Sequence, residues 1–176
     1  MSLSSRLSFL IAVIILLLSA FLRMTDLSTL PPGISNSEIT NIRLVDNAKL
    51  GKIIVFYQLE GEGHEGLYHA VMALVTTFTG DGTLGYRIFS VWISLLTLAL
   101  TYTLARHLYN PTFALFSLFL LAVMMTPILL ARHISPDAMV SFLVVGVMVA
   151  LARSLPIYRT TRIVTSNTVS FALLGF

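Results

Sequence analysis

The sequence predicts an all-α, polytopic helical membrane protein with about four transmembrane helices. Three observations predict it: high hydropathy, scarce charge, and the spacing of the apolar runs. Of 176 residues, 56% are hydrophobic and 11% charged, against roughly 45–50% and 25% in soluble domains, and the mean hydropathy is +0.89. Apolar runs recur at about the 17–25 residues that a helix needs to cross a hydrocarbon core of about 30 Å.

The first run, Leu7–Leu22, has sixteen uncharged residues between Arg6 and Arg23. Phe21-Leu22-Arg23 makes a poor signal-peptidase site, so residues 1–23 are expected to hold an uncleaved first transmembrane helix. Residues 24–86 form a long acidic loop, of a length that usually carries function or is disordered, and its content argues for structure. In it, Pro31-Pro32-Gly33 is a turn, and Ser35 or Ser37 is placed to cap a helix with Glu38 in its first turn. Ile39, Ile42, Leu44, Val45 and Leu50 give that helix a partly amphipathic period, suited to a membrane surface, and Gly51 ends it. Leu67–Phe78 is expected to be a second interfacial or re-entrant helix. Ile88–Ala105, Thr112–Ala131 and Ala138–Ala152, of eighteen, twenty and fifteen residues, supply spans two to four, a three-helix bundle over 87–155. Residues 156–176 hold a basic link and the start of a partial fifth helix from Ile163.

Cytoplasmic loops retain positive charge. With the N-terminus in the cytoplasm, Arg6, Arg106, Arg153, Arg159 and Arg162 lie inside, and all eight acidic residues fall outside. The acidic loop is thus expected on the periplasmic, extracellular or lumenal side. The net charge of +3 forms no basic stripe, so membrane lipids and other integral membrane subunits, and no nucleic acid, are the expected partners. The absence of cysteine excludes thiolate catalysis, disulfides and iron–sulfur ligation by this chain. No charge interrupts the four apolar runs, which offers a transporter no pathway.

The densest polar cluster is Glu60-Gly61-Glu62-Gly63-His64-Glu65-Gly66. Its oxygen ligands Glu60, Glu62 and Glu65, with His64, suit a hard divalent cation; the other reading is a solvated flexible turn. No other cofactor is evident. Arg132-His133-Ile134-Ser135-Pro136-Asp137 links spans three and four. Arg132 is a candidate phosphate contact through its planar fork, or, with His133, an interfacial anchor, while Asp137 caps the fourth helix. Arg87 has the same two readings. His69 and His107 have no partner at a useful spacing and are expected to be structural.

Leu30-Pro31-Pro32-Gly33, Ser37-Glu38, Gly63-His64-Glu65-Gly66-Leu67-Tyr68, Gly85-Tyr86-Arg87, Tyr102-Thr103-Leu104-Ala105-Arg106 and Arg132-His133-Ile134-Ser135-Pro136-Asp137-Ala138, read in order, resemble the GT-C glycosyltransferases of the protein-mannosyltransferase type. The resemblance is distributed over residues 6–155. It implies a membrane enzyme that takes a sugar from a polyprenyl phosphate carrier, with a catalytic Asp-Glu pair in an acidic first outer loop. Ser37 stands where the family has its loop aspartate, and the glutamate neighbour is kept as Glu38. A serine hydroxyl cannot take a proton near neutral pH as a carboxylate does, so Glu38 or Glu65 would have to substitute. Gly66 replaces the family's proline before Leu-Tyr. Arg132 and Asp137 match a third motif expected near the lipid phosphate. Such enzymes also have more helices than a chain ending at Phe176. Ser37 and that length favour an accessory or scaffolding subunit of a membrane complex; the alternative is a glycosyltransferase using Glu38, Glu65, Arg132 and Arg87, with a divalent cation if active.

Overall fold

The computed structural model describes residues 5–29, 31–59, 62–80 and 82–154. They form α1 (Ser5–Met24), α2 (Asn36–Lys49), a hairpin of β1 (Phe56–Leu59) and β2 (Glu62–Glu65), α3 (Gly66–Thr79), α4 (Thr83–Leu108), α5 (Pro111–Val123), α6 (Met125–Arg132) and α7 (Asp137–Ser154). The basic link and the expected fifth helix lie outside the described residues.

The helical membrane class holds. Helices α1, α4 and α7 are long and apolar enough to cross a membrane. The expected third span is bent: α5 and α6 meet at 58°, the geometry of a broken span or of a re-entrant loop. Met124 leaves the helix at φ −61°, ψ 133°, three residues before Pro127. An interior proline removes an i→i−4 bond and clashes with the carbonyl four residues back, whereas the first turn tolerates it. The break at Met124 places Pro127 in the first turn of α6.

Helix α2 is fixed at both ends by local sequence. Ser35, rather than Ser37, is its N-cap, in a reciprocal capping box with Glu38. At the other end Gly51 takes φ +80°, Gly51 N–H donates to Ala48 O and Lys52 N–H to Asn47 O, both at 3.1 Å. That is the Schellman pattern, which glycine adopts without a Cβ clash. The buried face of α2 differs from the expected apolar one: it holds Glu38, Asn41, Leu44, Val45 and Ala48, while Ile39 and Leu50 are exposed. The polar members can be buried because they find hydrogen-bond partners.

The Glu60–Gly66 segment, read as a ligand cluster or a flexible turn, is largely a strand. Phe56 pairs with Glu65, Tyr57 with His64, Gln58 with Gly63 and Leu59 with Glu62. Among the described residues no three His, Asp or Glu side chains gather in metal-binding range; Glu60 and the side chains of Glu62 and His64 lie outside them.

The chain divides into two compact units. One contains the first part of α1, α4 from Leu95, α5, and α7 from Val140. Its core includes Ala12, Ala105, Leu115, Leu118 and Ala122, small residues among large ones, which let helices approach closely. The other unit, Ala20–Ser94 with Met125–Met139, has a core of Val45 and Ala48 from α2, Tyr68, Met72 and Ala73 from α3, Tyr86 and Phe89 from α4, and Ile134 and Met139. This second unit carries nearly all the candidate functional residues.

Candidate functional site

The site is built on the first turn of α2 and the link between α6 and α7. Both Glu38 oxygens are committed. Oε2 accepts the Ser35 N–H at 3.0 Å and the Ser35 hydroxyl at 3.3 Å. Oε1 accepts the Ile134 N–H at 3.0 Å and lies 3.5 Å from His133 Nδ1. The side chain is 3% exposed. Burial pushes the Glu38 carboxyl up, but the Ser35 and Ile134 amides, then His133 when its ring is protonated and the charge of Arg87, outweigh it and hold the group below its usual range. An ionised, enclosed carboxylate whose oxygens are both engaged suits a clamp better than a general base, which works best with a pKa near the operating pH and direct reach to the proton. Glu38 ties α2 to a turn 96 residues away.

A second strand of bonding runs beside it. Asn41 Nδ2–H donates to Ile134 O at 2.9 Å, so that Asn41 Oδ1 faces His69 Nε2 at 3.1 Å; His69 Nδ1 in turn lies 2.7 Å from the Glu65 carbonyl. Both ring nitrogens thus have a polar partner. His69 is fully buried, with Tyr57 and Tyr68 edge-on to its ring. The expectation that it has no partner is corrected: its partners come from α2 and from the Glu65 backbone, which sequence spacing could not reveal. Glu65 enters the network through its backbone; its carboxylate is exposed and makes no cap bond to α3.

Gly66 follows at once, and its environment explains why it replaces a proline. Its N–H, which proline lacks, donates to Val55 O at 2.9 Å, and a Cβ there would collide with the Ile54 carbonyl oxygen.

The arginines play different parts. Arg87 is 3% exposed, and its guanidinium donates to three carbonyls, Leu27 at 3.1 Å, Pro31 at 3.2 Å and Gly33 at 2.9 Å. It fixes the turn leading into the Ser35 cap, a role that neither the phosphate nor the anchor reading named. Arg23 is fully buried and donates from Nε to Ser94 Oγ at 3.1 Å; sequence reasoning saw it only as a flank. Arg132, half-buried at the end of α6, donates from Nη2 to Leu22 O at 2.8 Å. Its Nε is buried without a hydrogen bond, and no carboxylate pairs with it among the described residues. Asp137 opens α7, accepts the Ser135 hydroxyl at 2.6 Å and places a carboxylate in the helix's first turn.

The structure therefore gathers Glu38, His133 and the Ile134 backbone, connects them through Asn41 and His69 to the Glu65 backbone, and sets Arg132 next along the same link. Position 37 adjoins this group: Ser37 Oγ is 3.0 Å from Ser35 Oγ.

The family model for dolichyl-phosphate-mannose-protein mannosyltransferases matches residues 66–175, more than half of the chain, and the chain belongs to that family. The matched range includes Arg87, Arg132 and Asp137 and leaves out Ser37 and Glu38. No curated protein and no solved structure matches the chain.

Proposed function

We propose that, as a member of this family, the chain works in glycosyl transfer from a polyprenyl phosphate carrier, with Arg132 contacting the carrier's phosphate. The observation that carries this reading is Arg132 itself. It is half-buried, one amine is fixed on the Leu22 carbonyl, and no carboxylate neutralises it among the described residues. A planar, permanently charged fork in that setting suits a phosphate oxygen pair. The arginine-only inner loops support an outer position for the loop and this site.

The accessory-subunit reading keeps one specific observation in its favour. Ser37 has no carboxylate and the Glu38 oxygens are both engaged, so neither residue of the family's acidic pair is free to act as the base. In that reading the chain packs against other integral membrane subunits and transfers nothing.

Membranes containing the full-length gene product, supplied with radiolabelled dolichyl- or undecaprenyl-phosphate mannose, separate the two. The transferase reading expects labelled product from the wild type. It also expects Arg132→Ala to raise KM for the donor at least tenfold, about what a charge-assisted hydrogen bond of roughly 1.5–3 kcal/mol contributes. Repeating the assay with a chelator tests the Glu60–Glu65 segment as a cation site. No transfer by the wild type, or an unchanged donor KM in Arg132→Ala, contradicts the reading.

A further inference from the structure

His133 follows Arg132 directly, and its side chain is 41% exposed while the Glu38 carboxylate behind it is 3% exposed. Its Nδ1 is the nitrogen turned toward Glu38, at 3.5 Å from Oε1. A carboxylate behind one ring nitrogen favours the tautomer with the proton there, which leaves the opposite nitrogen with a free lone pair. Nε2 makes no hydrogen bond among the described residues. The carboxylate is itself immobile, pinned by the amides of Ser35 and Ile134, so the ring has a fixed partner.

We propose that His133, oriented by Glu38, takes the acceptor's proton during sugar transfer, in place of the carboxylate that Ser37 lacks. The proposal rests on the transferase reading above. In the step, the Nε2 lone pair takes the acceptor hydroxyl proton as that oxygen bonds to the sugar C1. The bond from C1 to the phosphate oxygen breaks, and its electron pair leaves on the phosphate, beside Arg132. The imidazolium that forms faces the ionised Glu38 and later releases its proton to water. Arg132, His133 and Ile134 thus have successive tasks on one link: holding phosphate, accepting a proton, and docking the link to α2 through Glu38.

The charged neighbours are consistent with this assignment. Glu38 faces the ring from α2, Arg87 from α4 acts on the same carboxylate, and Arg132 and Asp137 flank it on its own link. Position 37 is one hydroxyl contact from Ser35, whose hydroxyl reaches the other Glu38 oxygen. A carboxylate introduced at 37 would sit at the same end of α2 as His133.

The test uses the full-length protein in membranes with radiolabelled dolichyl-phosphate mannose. His133→Gln is expected to lower kcat about 100-fold, within the range of general-base effects, with the donor KM unchanged. Added imidazole in His133→Gly is expected to restore much of the rate, which a merely structural histidine would not allow, and Ser37→Asp in the His133→Gln background is expected to restore it by supplying a second base. A wild-type rate in His133→Gln, or a loss that neither rescue reverses, overturns the assignment and leaves the transferase reading standing. Absence of transfer by the wild type overturns both.

Discussion

The two units of this chain are held by different physics. In the unit built from the first part of α1, the second half of α4, α5 and α7, the core is alanine, leucine, one isoleucine, Ile15, and one tyrosine, Tyr102, with a few polar links such as His107 Nε2 to Ala152 O at 2.7 Å. In the unit spanning Ala20–Ser94 and Met125–Met139, Arg23, Glu38, Asn41, His69, Thr76, Arg87 and Ser90 are all buried. Within a bilayer, exchanging lipid contact for helix contact gives little hydrophobic gain, so close packing must supply the specificity. The polar unit instead specifies its shape bond by bond. The bonds of Arg23 to Ser94, Glu38 and Asn41 to Ile134, and Arg87 to Leu27, Pro31 and Gly33 join segments distant in sequence, so the loss of one of these residues should release a whole segment.

That contrast can be broken by mutation. The largest effect is expected from Glu38→Ala, which strands the amides of Ser35 and Ile134: about 3 kcal/mol or more, read as faster hydrogen exchange in α2 and the 133–136 link while α5 stays protected. Arg87→Ala, which frees three carbonyls, should follow at roughly 2–3 kcal/mol, with exchange rising over residues 27–35. Gly66→Ala forces the Ile54 carbonyl aside and is expected to cost about 2 kcal/mol, on the scale of overpacking, visible as earlier protease cleavage near the hairpin. In the apolar unit, Leu118→Ala should cost only about 1–2 kcal/mol, because the cavity contribution survives in lipid and most of the transfer contribution does not. A Leu118→Ala effect larger than that of Glu38→Ala would erase the distinction.

The smallest expected effect is on pH dependence. The Glu38 carboxyl is held below its usual range in the folded chain, so its stabilisation is present above the unfolded carboxyl value of about 4.3 and is lost as pH falls through the lower folded value. Thermal unfolding of the wild type should therefore weaken more steeply on acidification below about pH 4.3 than that of Glu38→Gln. Parallel curves would show that Glu38 contributes no such linkage.

What was legible in the sequence was local. Ser35 with Glu38 three residues on, and Gly51 after an apolar period, mark the ends of α2 because caps are built from neighbours. Pro127 carried the signal for the α5–α6 break, although twenty apolar residues read as one span. Asn41 and His69 were illegible for the opposite reason. A polar residue on a short helix looks solvent-facing until its partner, 93 residues away for Asn41 and Ile134, is brought to it. The partners of Arg87 were illegible because they are backbone carbonyls, which every residue possesses. The change from proline to Gly66 looked like a departure from a motif, and its reason is contact with Ile54 and Val55, residues outside that motif. His133 read as an anchor because nothing in its surroundings along the chain shows that Glu38 lies behind it.

The account depends most on a phosphate being recognised at Arg132. The most direct measurement is binding of the full-length protein in nanodiscs to dolichyl phosphate and to unphosphorylated dolichol, for wild type and Arg132→Ala. The account predicts at least about tenfold tighter binding of the phosphate by the wild type, the scale of one charge-assisted hydrogen bond, and loss of that preference in the variant. Equal affinity of the wild type for both lipids would contradict it.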